Sequence, residues 1–248
     1  MKGYLIAAIC GVAVAVSGCE TIGPTSSDLA AVEAGTVGAV MLDYKEFNDL
    51  YGYTVYIADR EAGEVVGLTG TNNPGSWIGN KSVAVEVVKP GTYEIIKGSL
   101  ANYNTTANMP LLDLWFAPFV VDAGEFVNLG QLVMEEVNVS SIQKHEQGIV
   151  GDLLGLKDSE KGVTFIKYKI EPVESVRYDA VFEKYPALSG LNPVERTPKL
   201  LISDDEFEAA ARRAYAPDEN GQPPLEEDAR NRMVEELIIL VMKDVDPS

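Results

Sequence analysis

Ser82-Val83-Ala84-Val85-Glu86-Val87-Val88-Lys89-Pro90-Gly91-Thr92-Tyr93-Glu94-Ile95-Ile96 is the stretch on which the reading of the fold turns. Its first half has a period of two, with Val83, Val85 and Val87 on one face, as a pleated strand requires. Lys89-Pro90-Gly91 breaks the run, because proline presets φ and glycine tolerates positive φ. Thr92 to Ile96 then reads as the returning strand.

Similar segments lie on both sides. Tyr53 to Ile57 is β-branched and aromatic, Asp59 to Gly63 is a turn, and Glu64 to Leu68 continues as strand. Thr69–Lys81, with three glycines and Asn72-Asn73-Pro74, reads as a loop, and so does Asn102–Pro110. The apolar block Leu111 to Val121 is interrupted by Pro118, which argues for an edge or a bulge. Asp122 to Glu125 is a turn, and Phe126 to Gly130 and Leu132 to Val139 are further strand. Val163 to Ile170 alternates and rejoins the sheet. Short strands at this spacing indicate an antiparallel β-sandwich.

Beyond residue 172 the pattern becomes helical. Glu174 to Lys184 is helix-compatible and Pro186 stops it. Ser203-Asp204-Asp205-Glu206 is a capping box that opens a helix running to about Tyr215. After Pro223-Pro224 comes a last helix with Leu225, Ala229, Met233, Leu237 and Val241 on one face. The expected class is therefore mainly β with α, an antiparallel sandwich followed by a helical C-terminal extension. The divisions are 1–18 as a signal peptide, 19–39 as a flexible tether, 40–172 as the sandwich and 173–248 as the extension.

Two resemblances accompany this reading. Val88 to Ile95 and Phe119 to Gly130 resemble the strand-and-turn pattern of DUF2846-like β-sandwich domains of bacterial lipoproteins. More distantly they resemble carboxypeptidase regulatory-like, transthyretin-type sandwiches. That resemblance covers roughly residues 50–140 and implies a fold without catalytic residues. At the chain's start, Lys2, the apolar run Tyr4 to Val16 and Val16-Ser17-Gly18-Cys19 resemble a bacterial lipoprotein precursor, with Val16 in place of the usual Leu. The run is shorter than the ~20 apolar residues that span a bilayer. The resemblance implies lipidation of Cys19, hence a membrane partner held through acyl chains. Glu20, in place of Asp, implies the outer membrane, facing the periplasm. Cys10 falls in the signal peptide, so Cys19 is the only cysteine of the expected mature protein.

Composition sets the remaining bounds. The formal charge is −18, from 38 acidic against 20 basic residues. Such a surface repels phosphate backbones and argues against nucleic acid as a partner. It also repels anionic headgroups, so the body is expected to stand off the membrane. His145 is the single histidine and sits in the polar run Gln143 to Gln147, which removes multi-histidine metal sites. Ser140 and Ser141 lack a nucleophile elbow. Glu135-Glu136 lies on a strand, so the side chains diverge. Asp218-Glu219-Asn220-Gly221 has calcium-loop elements at the wrong spacing and reads as a helix-linking turn. Trp115, Phe116 and Phe119 read as core, whereas Trp77, in a Gly-rich loop, is a speculative ligand-binding residue. No residue is expected to be catalytic, and no cofactor or metal is called for.

These observations favour a non-enzymatic, lipid-anchored envelope protein. It would act as a binding or assembly module, with an envelope protein as partner through the C-terminal helices. A carboxylate-dependent hydrolase of envelope polymers and a carbohydrate-binding module centred on Trp77 are the alternatives.

Overall fold

The computed structural model describes residues 23–45, 52–71, 83–101, 106–109, 112–139, 163–173 and 175–245. Among the described residues, ten strands form two five-stranded sheets. In the first, β1 (Gly38–Tyr44) lies between β4 (Ala84–Val88) and β8 (Phe126–Asn138). On the far side of β8, β10 (Pro193–Glu195) covers Phe126 to Asn128, and β9 (Thr164–Glu171) covers Gln131 to Asn138. In the second sheet, β2 (Gly52–Asp59) lies between β3 (Val65–Thr71) and β5 (Gly91–Ala101). The far side of β5 is shared by β6 (Thr106–Met109) and β7 (Phe119–Val121). The class is thus mixed α and β, with strands predominating.

Three layers result, and burial explains them. The strand β2 alternates half-exposed and buried residues, with Tyr53, Val55 and Ile57 inward, the signature of a sheet with one wet face. By contrast β1 is buried at all seven positions. Its Val40, Leu42 and Tyr44 join the core between the sheets, and Ala39 and Met41 enter a second cluster on the opposite face. That second cluster is closed by Val32 of α1 (Ser26–Glu33), by Val181 of α2 (Ser175–Lys184), and by Tyr185 and Leu188 beyond it. A tether covering 19–39 is therefore too long. Thr25 and Asp28 form a capping box, and Val32 is buried, so this segment folds onto the sheet from residue 25.

The returning strand after Lys89-Pro90-Gly91 returns to the other sheet. Val87 pairs with Ala39 of β1, whereas Tyr93 pairs with Asp59 of β2 and Phe119 of β7. A hairpin here would leave one face of Val83, Val85 and Val87 in water. Crossing between sheets instead packs them against the helical layer. Gly91 is needed for space, since a Cβ there would stand 2.5 Å from the Asp59 carboxylate. The turn at Asp122 to Glu125 likewise carries the chain from β7 to β8, in different sheets. Crossings of this kind leave β8 parallel to β1 and to β10. The sandwich is antiparallel at its other six described pairings, so the antiparallel expectation is corrected at these two. Part of Asn102–Pro110 is also strand, because Thr106–Met109 pairs with Gly98 to Ala101.

The C-terminal helices are part of the core. In α3 (Asp204–Ala214), capped by Ser203 and Glu206 as expected, Phe207, Ala210, Ala211 and Ala214 are buried. In α4 (Glu226–Val245), Ala229, Met233 and Leu237 are buried in the same cluster as Trp115 and Tyr168. Trp115 sits edge-on to Tyr168 at 5.6 Å and tilts against Phe207 at 5.4 Å. Leu225, expected on the buried row, precedes the first turn of α4 and is 75% exposed.

Buried phenols give this core an alkaline limit. Tyr44 donates its hydroxyl to the Leu68 carbonyl at 2.5 Å and accepts from the Val55 N–H at 3.1 Å. Those residues face each other across β2 and β3, so one side chain from the first sheet stitches the second. Burial pushes the Tyr44 and Tyr168 hydroxyls far above the usual tyrosine range. Burial, then the charges of Asp59 and Glu64, pushes Tyr93 up to about 12. The folded state therefore holds these protons more tightly than the unfolded chain. The associated stability is complete below pH ~10 and is lost as pH rises beyond it. Tyr44 and Tyr168 are each expected to contribute a slope of about 1.4 kcal/mol per pH unit there. Urea midpoints measured from about pH 9 to 11.5 should fall together with a late rise in phenolate absorbance. A flat midpoint across that range would contradict these burials.

Candidate functional site

Two features stand out from the packed body. The first is a polar cluster between the first sheet and α2. Asp43 is fully buried on β1 and accepts from Gln131 Nε2 at 2.5 Å and from Arg177 Nε at 3.3 Å. Beside it, Asn128 is also fully buried. Its Nδ2 donates to Tyr178 Oη at 2.5 Å and to the Glu195 carboxylate at 2.8 and 2.9 Å. The Tyr178 hydroxyl donates to Glu195 as well. Burial, and then the Glu195 hydrogen bond, pushes Tyr178 up, so it is a neutral donor and no phenolate nucleophile.

A β-bulge puts these groups side by side. Gly130 has φ +105°, and between Met41 and Asp43 of β1 the register of β8 advances from Asn128 to Gln131. The extra residue keeps Leu129 and Leu132 on the inner face and Asn128 and Gln131 on the outer one. Asn128 Oδ1 accepts the Gly130 N–H at 2.9 Å and closes the bulge. The cluster thus satisfies its own donors and acceptors, and its chemistry is to lock α2 and β10 to the sheet.

The second feature is the free face of α4. Ile238, Ile239 and Met242 are 40%, 50% and 67% exposed. They sit on the side opposite Ala229, Met233 and Leu237, while Leu240 and Val241 pack on the core. The stretch from Leu237 to Met242 is therefore apolar all round, a pattern that belongs to a helix covered on every side.

Paired carboxylates occur, but on shared cations. Lys169 Nζ lies 2.5 Å from Glu135 and 2.9 Å from Glu171, and Arg196 Nη2 lies 2.8 Å from Glu125 and 3.1 Å from Asp122. The Lys169 hydrogen bond holds Glu135 and Glu171 below the usual carboxylate range. Glu135 and Glu136 diverge, as their strand requires: Glu135 reaches Lys167 and Lys169, while Glu136 is exposed. Asp218 Oδ1 accepts from the backbone of Asn220 and Gln222, both at 2.9 Å, so this carboxylate serves its own turn. Among the described residues no three His, Cys, Asp or Glu converge as metal ligands.

Trp115, Phe116 and Phe119 are buried, as their apolar block suggests. Cys19, Trp77, Ser140, Ser141 and His145 lie outside the described residues. Sequence reasoning missed the Asp43 and Asn128 cluster. Its trace was one carboxylate in the otherwise apolar run Gly38–Tyr44 and one amide in Phe126–Gly130.

No protein-family model matches the chain, and no curated protein does. Among solved structures, the chain is similar to a leucine-rich repeat protein from Bacteroides thetaiotaomicron VPI-5482. The identity is 9%, over 77% of this chain and 33% of that one, with a TM-score of 0.25. The chain thus spans about a third of that protein's length. Among the described residues no helix is long and apolar enough to cross a membrane.

Proposed function

We propose that this protein is a non-enzymatic, lipid-anchored module of the bacterial cell envelope, held through Cys19 at the outer membrane and facing the periplasm. Its task is to bind or assemble an envelope protein through its last helix. The observation that carries the reading is the exposed apolar surface of Ile238, Ile239 and Met242 on α4, on a chain of formal charge −18 whose solubility such a patch works against. The paired carboxylates Glu135 and Glu171 are unsuited to glycosidase-type hydrolysis. A glycosidase-type general acid needs a raised pKa in a desolvated cleft, while Glu135 and Glu171 are displaced downward.

Removing residues 200–248 is an unsuitable test, because Phe207, Ala210, Met233 and Leu237 belong to the core. Single positions serve instead. A photo-crosslinking residue at position 242, in native membranes, is expected to give one dominant protein adduct, whereas the same residue at exposed Glu61 gives none. Ile239→Glu should reduce that adduct about tenfold while changing stability by no more than about 0.5 kcal/mol, since the site is exposed. Equal adduct patterns from positions 61 and 242 would end the reading. Incorporation of a labelled fatty acid, lost in Cys19→Ser, tests the anchor separately.

A further inference from the structure

The outward face of α4 is organised along its length. Asp228, Asn231, Glu235, Ile238 and Met242 follow one another at alternating spacings of three and four residues. That spacing gathers side chains into the seam of a coiled coil. All five are exposed, and they lie opposite the buried row Ala229, Met233 and Leu237. The seam is divided: its N-terminal half is acidic and its C-terminal half is apolar. Of the helix's other acids, Glu226 pairs with Arg230 and Glu236 with Arg213, both at 2.8 Å. Asp228 and Glu235 have no ion-pair partner among the described residues.

We propose that this seam receives a single helix of a partner protein, with a stripe that is basic opposite Asp228 and Glu235 and apolar opposite Ile238 and Met242. The inference rests on the reading of α4 as a partner-binding helix and specifies the chemistry of that partner. Apolar contact would supply affinity at one end, and paired charge would set register and exclude wrong partners at the other.

A second copy of this chain fits poorly. Laid parallel, the seams oppose acid to acid. Laid antiparallel along their length, they press carboxylates on Ile238 and Met242, which buries charge without a partner. Overlapping only the apolar ends would cover three large side chains per copy, well short of the roughly 800 Å² per partner of a stable interface. Each copy also carries −18. An anionic membrane meets the same repulsion along the acidic half.

The test uses two synthetic three-heptad helical peptides and the full chain. One peptide has Lys at two successive seam positions followed by Leu at the next two. The other has Glu in place of those Lys. Fluorescence anisotropy is expected to show the Lys peptide binding about tenfold more tightly, the size expected for two exposed ion pairs exchanged for two repulsions. The charge-swapped protein D228K/E235K should reverse that preference, and Met242→Glu should weaken both peptides. Equal affinity of the two peptides, or a preference that the swap leaves unchanged, overturns the inference. So does concentration-dependent dimerisation lost in Ile238→Glu, or binding to phosphatidylglycerol vesicles lost in the same variant. If the peptides fail while the adduct from position 242 persists, the partner-binding reading stands and this inference falls. If that adduct is absent too, both fall.

Discussion

Gly130→Val is expected to be the most damaging single substitution in the described fold, costing about 2–6 kcal/mol. Two terms add. At φ +105° any residue with a Cβ is strained, by about 1–3 kcal/mol. The Cβ itself would overlap Ile170 Cγ2 and stand 2.9 Å from the Glu171 carbonyl oxygen, in a packed strand pair where overfilling costs about 1–3 kcal/mol. The wider consequence is register. Without the bulge, either Leu132 or Gln131 must exchange faces, and the whole pairing of β8 with β9 moves with it. At roughly 2–4 °C per kcal/mol for a chain of this size, Tm should fall by roughly 4–24 °C. Thermal unfolding followed by circular dichroism checks this. A Tm within about 2 °C of the parent would mean that the bulge adapts to a side chain.

Asp43→Leu is the second large effect, expected at about 3–5 kcal/mol. The change removes a fully buried acceptor from Gln131 and Arg177 and sets an apolar side chain beside a guanidinium whose side chain is 27% exposed. Much of the cost lies in the polar groups left facing Leu, so the pair behaves differently from its parts. Adding Arg177→Met to Asp43→Leu should recover about half of the loss, since apolar replacement of both members of such a partly buried pair removes the unmatched polar groups together. The double-mutant cycle, read from urea midpoints, should show a coupling of about 1–3 kcal/mol. Additive losses would mean that the two side chains do not share one interaction. Asp43→Asn, which keeps the shape, should sit between the parent and Asp43→Leu.

The two large effects fall on residues that sequence reasoning passed over, and the reason is physical. Gly130 looks like any strand glycine until β8 has partners on both sides. Asp43 looks like a surface residue until α2, more than a hundred residues away, closes over it. The apolar half of the α4 seam was legible as residue types, but its freedom from the core depends on which row of the helix α3 and Trp115 occupy.

Short-range order, by contrast, was readable. The period-two strands, the capping box at Ser203, the helix stop at Pro186 and the buried row Ala229, Met233, Leu237 all depend on sterics and hydrogen bonds within a few residues, which the sequence determines by itself. The tertiary structure alone decided which sheet each strand enters. Lys89-Pro90-Gly91 has the chemistry of a turn, and the same turn can return a strand beside its predecessor or carry it to the facing sheet. The choice went to the crossing because it covers Val83, Val85 and Val87 with α1 and α2, which lie on either side of these strands in the sequence. No local rule contains that burial, since the surfaces that meet are distant in sequence.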